Sequence, residues 1–184
     1  NNNCFAYNKN KETRSLYIHW PFCPYRCHFC PFVALAGQDE FMEVYHEALK
    51  TEVHTFALQS PKKHELDTIF LGGGTPSTYP DNLLLDISGI LKKEYIYTPD
   101  MEMTIEVNPG TVRPEQLHVW REVGINRLSI GVQSLNDKVL HALNRRQTVT
   151  DVHFVVNHAS TVFDSISIDL ILGLPGVTEL AWKE

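Results

Sequence analysis

Along this chain two kinds of hydrophobic patterning take turns. Runs rich in β-branched and aromatic residues, at Leu16 to Trp20, Thr68 to Leu71, Met101 to Val107, Arg127 to Val132 and Ser165 to Leu172, predict strands. Between them lie stretches whose apolar residues recur at helical spacing. The clearest, Asp39 to Leu58, carries Phe41, Tyr45, Leu49, Val53 and Phe56 and is closed by Pro61. Asp81 to Leu91, Pro114 to Glu122, Asn136 to Leu143 and Thr150 to Ala159 read as four further helices. Strands alternating with helices predict βα units around a parallel sheet, an α/β fold. Five such units are too few to close an eight-stranded barrel, so the expected architecture is the N-terminal part of an open, partial (β/α) barrel. No internal repeat or linker-like stretch divides residues 1–184, and one domain is expected. The chain starts without Met and stops at Glu184 in what reads as a helix start, so the rest of the barrel and a C-terminal domain are expected beyond it.

Composition narrows the function classes. With 184 residues, 43% apolar and 21% charged, the chain can bury one sizeable core. A net charge of -6 with no dense Lys/Arg run gives no electrostatic footprint for nucleic acid or an anionic membrane. No apolar stretch approaches the length of a membrane span, and Asn1-Asn2-Asn3-Cys4 has neither the basic nor the apolar region of a secretory leader, so the chain reads as soluble. Four cysteines, three of them within eight positions, do not resemble a disulfide framework; a reducing cytoplasm is expected.

Those three cysteines carry the candidate chemistry. Cys23, Cys27 and Cys30, three and then two residues apart, suit three corners of a [4Fe-4S] cube and leave the fourth iron open for a ligand. The rival reading is a zinc knuckle with His19 or His28 as the fourth ligand. In parallel α/β folds ligands bind at the carboxyl ends of the strands, where the remaining motifs also fall. After the second predicted strand comes Gly72-Gly73-Gly74-Thr75-Pro76-Ser77, whose glycines would let a ligand approach and whose exposed amides could bind a polar group. Glu106, in Glu106-Val107-Asn108-Pro109-Gly110-Thr111, ends the third and could accept from an ammonium or a ribose hydroxyl. Gln133, in Gly131-Val132-Gln133-Ser134, ends the fourth, and Asn144-Arg145-Arg146 closes the following helix. Asp169 is a charge in the apolar run Ile168 to Pro175, where burial would require a partner. Trp20, Trp120 and Phe154 are expected to pack, and His46, His54, His118, His141, His153 and His158 to be solvated or capping. Cys4 reads as a bystander.

Taken together, Tyr17-Ile18-His19, the cysteine loop and the GGGTPS, EVNPGT, GVQS, NRR and IDLILGLP segments resemble, in this order, one branch of the radical S-adenosylmethionine (SAM) superfamily. That branch holds the oxygen-independent coproporphyrinogen III oxidases and the haem chaperones called HemW. The resemblance runs from about Leu16 to Pro175. It implies that Cys23, Cys27 and Cys30 ligate a [4Fe-4S] cluster whose open iron chelates SAM, and that Tyr17, Gly73, Gly74, Thr75, Glu106, Gln133, Arg145 and Asp169 line the SAM pocket. It further implies reductive cleavage of SAM to methionine and a 5′-deoxyadenosyl radical if the chain is catalytic. The oxidases carry a further cysteine where this chain has Phe32, and tend to be acidic in place of Asn108 and Ser134. The chain is therefore more similar to HemW, though Pro31-Phe32 stands where HemW proteins usually have Asp-Phe. Haem or a porphyrinogen, and a haem-acceptor protein, are the implied partners.

Overall fold

A computed structural model describes residues 14–174 and 177–179. Its centre is one parallel sheet of β1 (Ser15–Trp20), β4 (Glu65–Gly73), β5 (Ile96–Val107), β6 (Arg127–Gln133) and β7 (Ser165–Leu170), in the order β1-β4-β5-β6-β7. The short strands β2 (Phe22–Cys23) and β3 (Leu35–Ala36) pair with each other beside it. The connecting helices are α1 (Met42–Ala57), α2 (Asp81–Glu94), α3 (Pro114–Val123), α4 (Asp137–Ala142) and α5 (Val149–Ala159). The five expected strands and five expected helices are present, with their ends shifted. Pro175 and the helix start read near Glu184 lie outside the described residues.

Helix boundaries follow from local chemistry. Asn136 Oδ1 accepts from the Lys138 and Val139 amides at the start of α4, and Thr148 caps α5 through the Asp151 amide. Gly124, at φ 109°, ends α3 in the left-handed conformation. The longest mismatch with expectation is β5, which begins five residues early and carries Pro99. Pro cannot donate to a ladder, and the register accordingly slips there: Leu66 faces Tyr97 and Thr68 faces Glu102.

The two faces of the sheet differ. Ile18, Trp20, Ile69, Leu71, Met103, Ile105, Val107, Leu128, Ile130 and Val132 join Leu49, Val53, Leu84, Ile87, Leu117, Trp120, Val152 and Val155 from the helices in one buried core. The opposite face is polar. Arg127 donates to Thr104 and Ser167, and above that layer Ser129 Oγ donates to Asp169 Oδ2 at 3.0 Å. Phe154 is 40% exposed and lies against the His158 ring at a tilt of 40° rather than packing inward, whereas His46 is buried and bonded to Tyr79 and Asp86 rather than solvated.

Candidate cofactor site

A cavity of about 420 Å3 opens at the carboxyl ends of the strands. Its wall brings together Cys23, Cys27, Cys30, Gly73, Gly74, Thr75, Glu106, Gln133, Arg145 and Asp169, from six loops and strand ends that are far apart in sequence. Tyr17 is absent from that wall. Its ring stacks on Phe70 and its hydroxyl bonds His19 Nδ1 at 3.0 Å. It still lies beside the site, since a Cβ on Gly72 would come within 2.9 Å of the Tyr17 ring and 3.1 Å of a Glu106 oxygen.

The cysteine loop is tied down on both sides. Tyr25, between the first two cysteines, is buried, and its hydroxyl accepts from Asn108 Nδ2 (3.0 Å) and from the Arg146 amide (3.2 Å). The His28 amide donates to Leu143 O, His28 Nδ1 to Ala142 O, and Asn144 Nδ2 to Arg26 O. Asn144, at φ 56°, turns the chain so that the next residue, Arg145, enters the cavity. Composition and spacing gave no signal for Tyr25, because its role depends on partners 83 and 121 residues away.

The glycine loop serves a different purpose from the one its amides suggested. The Gly73 amide donates to Glu106 Oε2, the Gly74 amide to Trp20 O and the Thr75 amide to Phe22 O. None of the three is left for a ligand. A Cβ on Gly74 would lie 2.6 Å from Pro21 O and 2.7 Å from Phe22 O, so this glycine admits the main chain that leads into the cysteines.

At the far wall, β6 breaks register between Gly131 and Gln133, and Gln133 adopts φ 67°. This is strain of the kind that functional sites hold. A Cβ on Gly131 would meet Gln133 Nε2 at 2.9 Å and Arg145 Nη2 at 3.1 Å; the bare backbone there lets both polar side chains lie across the strand. Arg145 Nη2 donates to Gly131 O, Nη1 sits 3.7 Å from Cys27 Sγ, and Nε is buried without a partner among the described residues. Asp169 is exposed at the cavity wall, on the last described strand, so the partner demanded by burial reduces to Ser129.

Electrostatically the cavity disfavours the charged forms of two of its acids. Burial raises the Glu106 carboxyl above the usual carboxylate range and nearby Asp169 adds to this, against the Gly73 amide and His19, which lower it. Burial likewise raises the Cys23 thiol, opposed by its bond to Thr75 and by Arg145.

The donor set discriminates between metals. Both imidazole nitrogens of His19 are engaged, Nε2 donating to Val33 O and Nδ1 accepting from Tyr17, and His28 is held by Ala142 O. A tetrahedral zinc with Zn–S near 2.3 Å needs sulfurs about 3.8 Å apart. The three sulfurs do not all lie within 4.8 Å of one another, and the one such ligand cluster among the described residues is His46, Glu47 and Asp86. There Lys50 Nζ, 2.9 Å from both carboxylates, already supplies the cation. The three free thiols on one wall, beside an unpartnered guanidinium nitrogen and a raised carboxyl, fit a cluster with a charged ligand on it.

The model of the family described as the radical SAM superfamily matches residues 17–184. The chain is 36% identical over 168 residues to the protein named heme chaperone HemW from Bacillus subtilis, covering 90% of this chain and 44% of that one. It is 32% identical over 178 residues to the mitochondrial radical S-adenosyl methionine domain-containing protein 1 of Mus musculus, covering 96% and 40%. Among solved structures, coproporphyrinogen III oxidase (HemN) from Escherichia coli, a radical SAM enzyme, superposes with a TM-score of 0.87 at 31% identity, covering 94% of this chain and 40% of that chain. The chain thus spans less than half the length of these relatives.

Proposed function

Because the chain belongs to the radical SAM superfamily, we propose that it is the cluster- and SAM-binding core of a haem chaperone of the HemW type, which binds haem and passes it to an acceptor protein. The observation that carries the reading is the convergence of three thiols with Glu106, Gln133, Arg145 and Asp169 on one cavity. When bound, the cluster would supply an electron at low potential to the SAM sulfonium. The protein's own contribution is binding and orientation. Cys23, Cys27 and Cys30 would hold three irons. Arg145, with its Nε unpaired, suits the SAM carboxylate. An ammonium needs acceptors, and with the amides of the glycine loop spent, Glu106 and the loop carbonyls would receive it. Asp169 and Gln133 would take the ribose or adenine, and Tyr17 would stand at the edge of that pocket.

The choice of chaperone over oxidase rests on two side chains. Phe32, where the oxidases carry a further cysteine, is 64% exposed on the cavity wall and brings no sulfur to it. Asn108 uses its amide N–H to hold Tyr25, a bond that an acidic side chain in its place could not donate. Among the described residues no helix is long and apolar enough to cross a membrane; a cytoplasmic location is part of this proposal.

The test uses the full-length parent with its cluster rebuilt anaerobically. Titration with haem, followed by absorbance, is expected to show saturable binding. Incubation with reductant, SAM and coproporphyrinogen III is expected to give no decarboxylated product by chromatography. Decarboxylation would overturn the chaperone reading in favour of the oxidase.

A further inference from the structure

Thr75 lines the cavity, and its hydroxyl faces the first cysteine. Its Oγ1 lies 3.2 Å from Cys23 Sγ, with the two residues 7% and 8% exposed, and this is the only hydrogen bond of that hydroxyl among the described residues. The geometry is over-determined. The Thr75 amide donates to Phe22 O, one residue before Cys23, at 2.9 Å, and its carbonyl accepts from both the amide and the hydroxyl of Thr78. Thr78 Oγ1 in turn accepts from Trp20 Nε1, and the Gly74 backbone is pressed against Pro21 and Phe22. The limb that carries Cys23 and the loop that carries Thr75 are therefore tied together through the main chain, which holds the hydroxyl beside the sulfur. The other cysteines differ: Cys27 has only the longer contact to Arg145, and no described side chain donates to Cys30.

A cluster ligand carries no proton, so beside a thiolate the hydroxyl has to be the donor. Hydrogen bonds to cluster sulfurs favour the state with more negative charge, the reduced one, and so raise the reduction potential. We propose that Thr75 is a positioning residue acting through Cys23: its hydroxyl donates to the Cys23 thiolate and sets the potential at which the cluster accepts its electron. The inference rests on the reading of the three cysteines as cluster ligands. The couple concerned takes up one electron from an external reductant, with no bond broken and the hydroxyl proton staying on Oγ1.

The experiment compares full-length wild type with Thr75→Val, Thr75→Ala and Thr75→Ser after anaerobic reconstitution. Iron and sulfide content come first; a wild type that holds no four-iron cluster overturns the cluster reading itself, before Thr75 is tested. The potential is then read by electron paramagnetic resonance during titration with dithionite. Val and Ala are expected to disfavour reduction about tenfold, a downward shift of about 59 mV for one electron, while Ser restores the wild-type value. A loaded Val variant with the wild-type potential would overturn the proposal. If neither Val nor Ala takes up a cluster, proton double resonance on the reduced wild type decides. An exchangeable proton strongly coupled to the cluster, retained in Ser, is expected, and its absence from wild type would overturn the proposal.

Discussion

Glu106 and Tyr25 show how single side chains divide the work of the site. Glu106 is raised by burial, which means that ionising it costs the folded protein stability. A group whose folded value lies above its unfolded value contributes fully at pH below the unfolded value and loses that contribution as pH rises through the folded one. Cofactor-free Glu106→Gln is therefore expected to be more stable than wild type at pH 7 to 8, with the difference vanishing below the ordinary carboxylate range of about 4; urea melts across that range check it. Tyr25 does the opposite kind of work, since its hydroxyl satisfies two donors at once. Tyr25→Phe leaves the buried Asn108 amide without its acceptor and is expected to cost about 1–3 kcal/mol in urea unfolding, with slower cluster assembly. Neither effect is visible in the sequence: Glu106 could be read as a candidate ligand, but what perturbs it, and what Tyr25 holds, depend on residues brought in from other elements.

At the scale of elements, the informative contrast lies between two glycines. Gly74 faces main-chain oxygens at 2.6 and 2.7 Å, which cannot move aside, whereas Gly131 faces the ends of the Gln133 and Arg145 side chains, which can. Gly74→Ala is expected to destabilise the protein by about 1–3 kcal/mol, as overpacking does, and to hinder cluster loading. Gly131→Ala is expected to leave the melting temperature nearly unchanged and to weaken SAM binding about tenfold or more, read by calorimetry on the reconstituted protein. The pattern of the sequence marked both as members of glycine-bearing motifs after strands. It could not tell which served a ligand and which served the chain, because that difference is set by what folding brings against each glycine, the segment after β1 in one case and two side-chain ends in the other.

For the molecule as a whole, core and site occupy opposite sides of one sheet. The buried cluster runs through Trp20, Ile69, Ile105, Trp120 and Ile130 without any cysteine in it, so the fold is expected not to depend on metal as a zinc finger does. Stripping iron from the reconstituted protein with a chelator is expected to leave the far-ultraviolet circular dichroism intact; unfolding on iron loss would contradict this separation.

The sequence by itself determined the βα alternation, because hydrophobic periodicity is a local consequence of backbone geometry, and it determined the cysteine loop, because ligands so closely spaced need no folding to be recognised. It also named most of the polar residues that reach the cavity wall, since motifs at strand ends fall at one rim once the sheet is parallel. Only the tertiary structure decided that the amides of the glycine loop are spent on Glu106, Trp20 and Phe22, that Thr75 faces a sulfur, that Tyr17 stands outside the wall, and that Asp169 is exposed. The physical reason is the same in each case. A hydrogen bond or a steric limit between residues tens of positions apart leaves no periodicity or spacing in the chain, and exists only when folding brings both partners to one place.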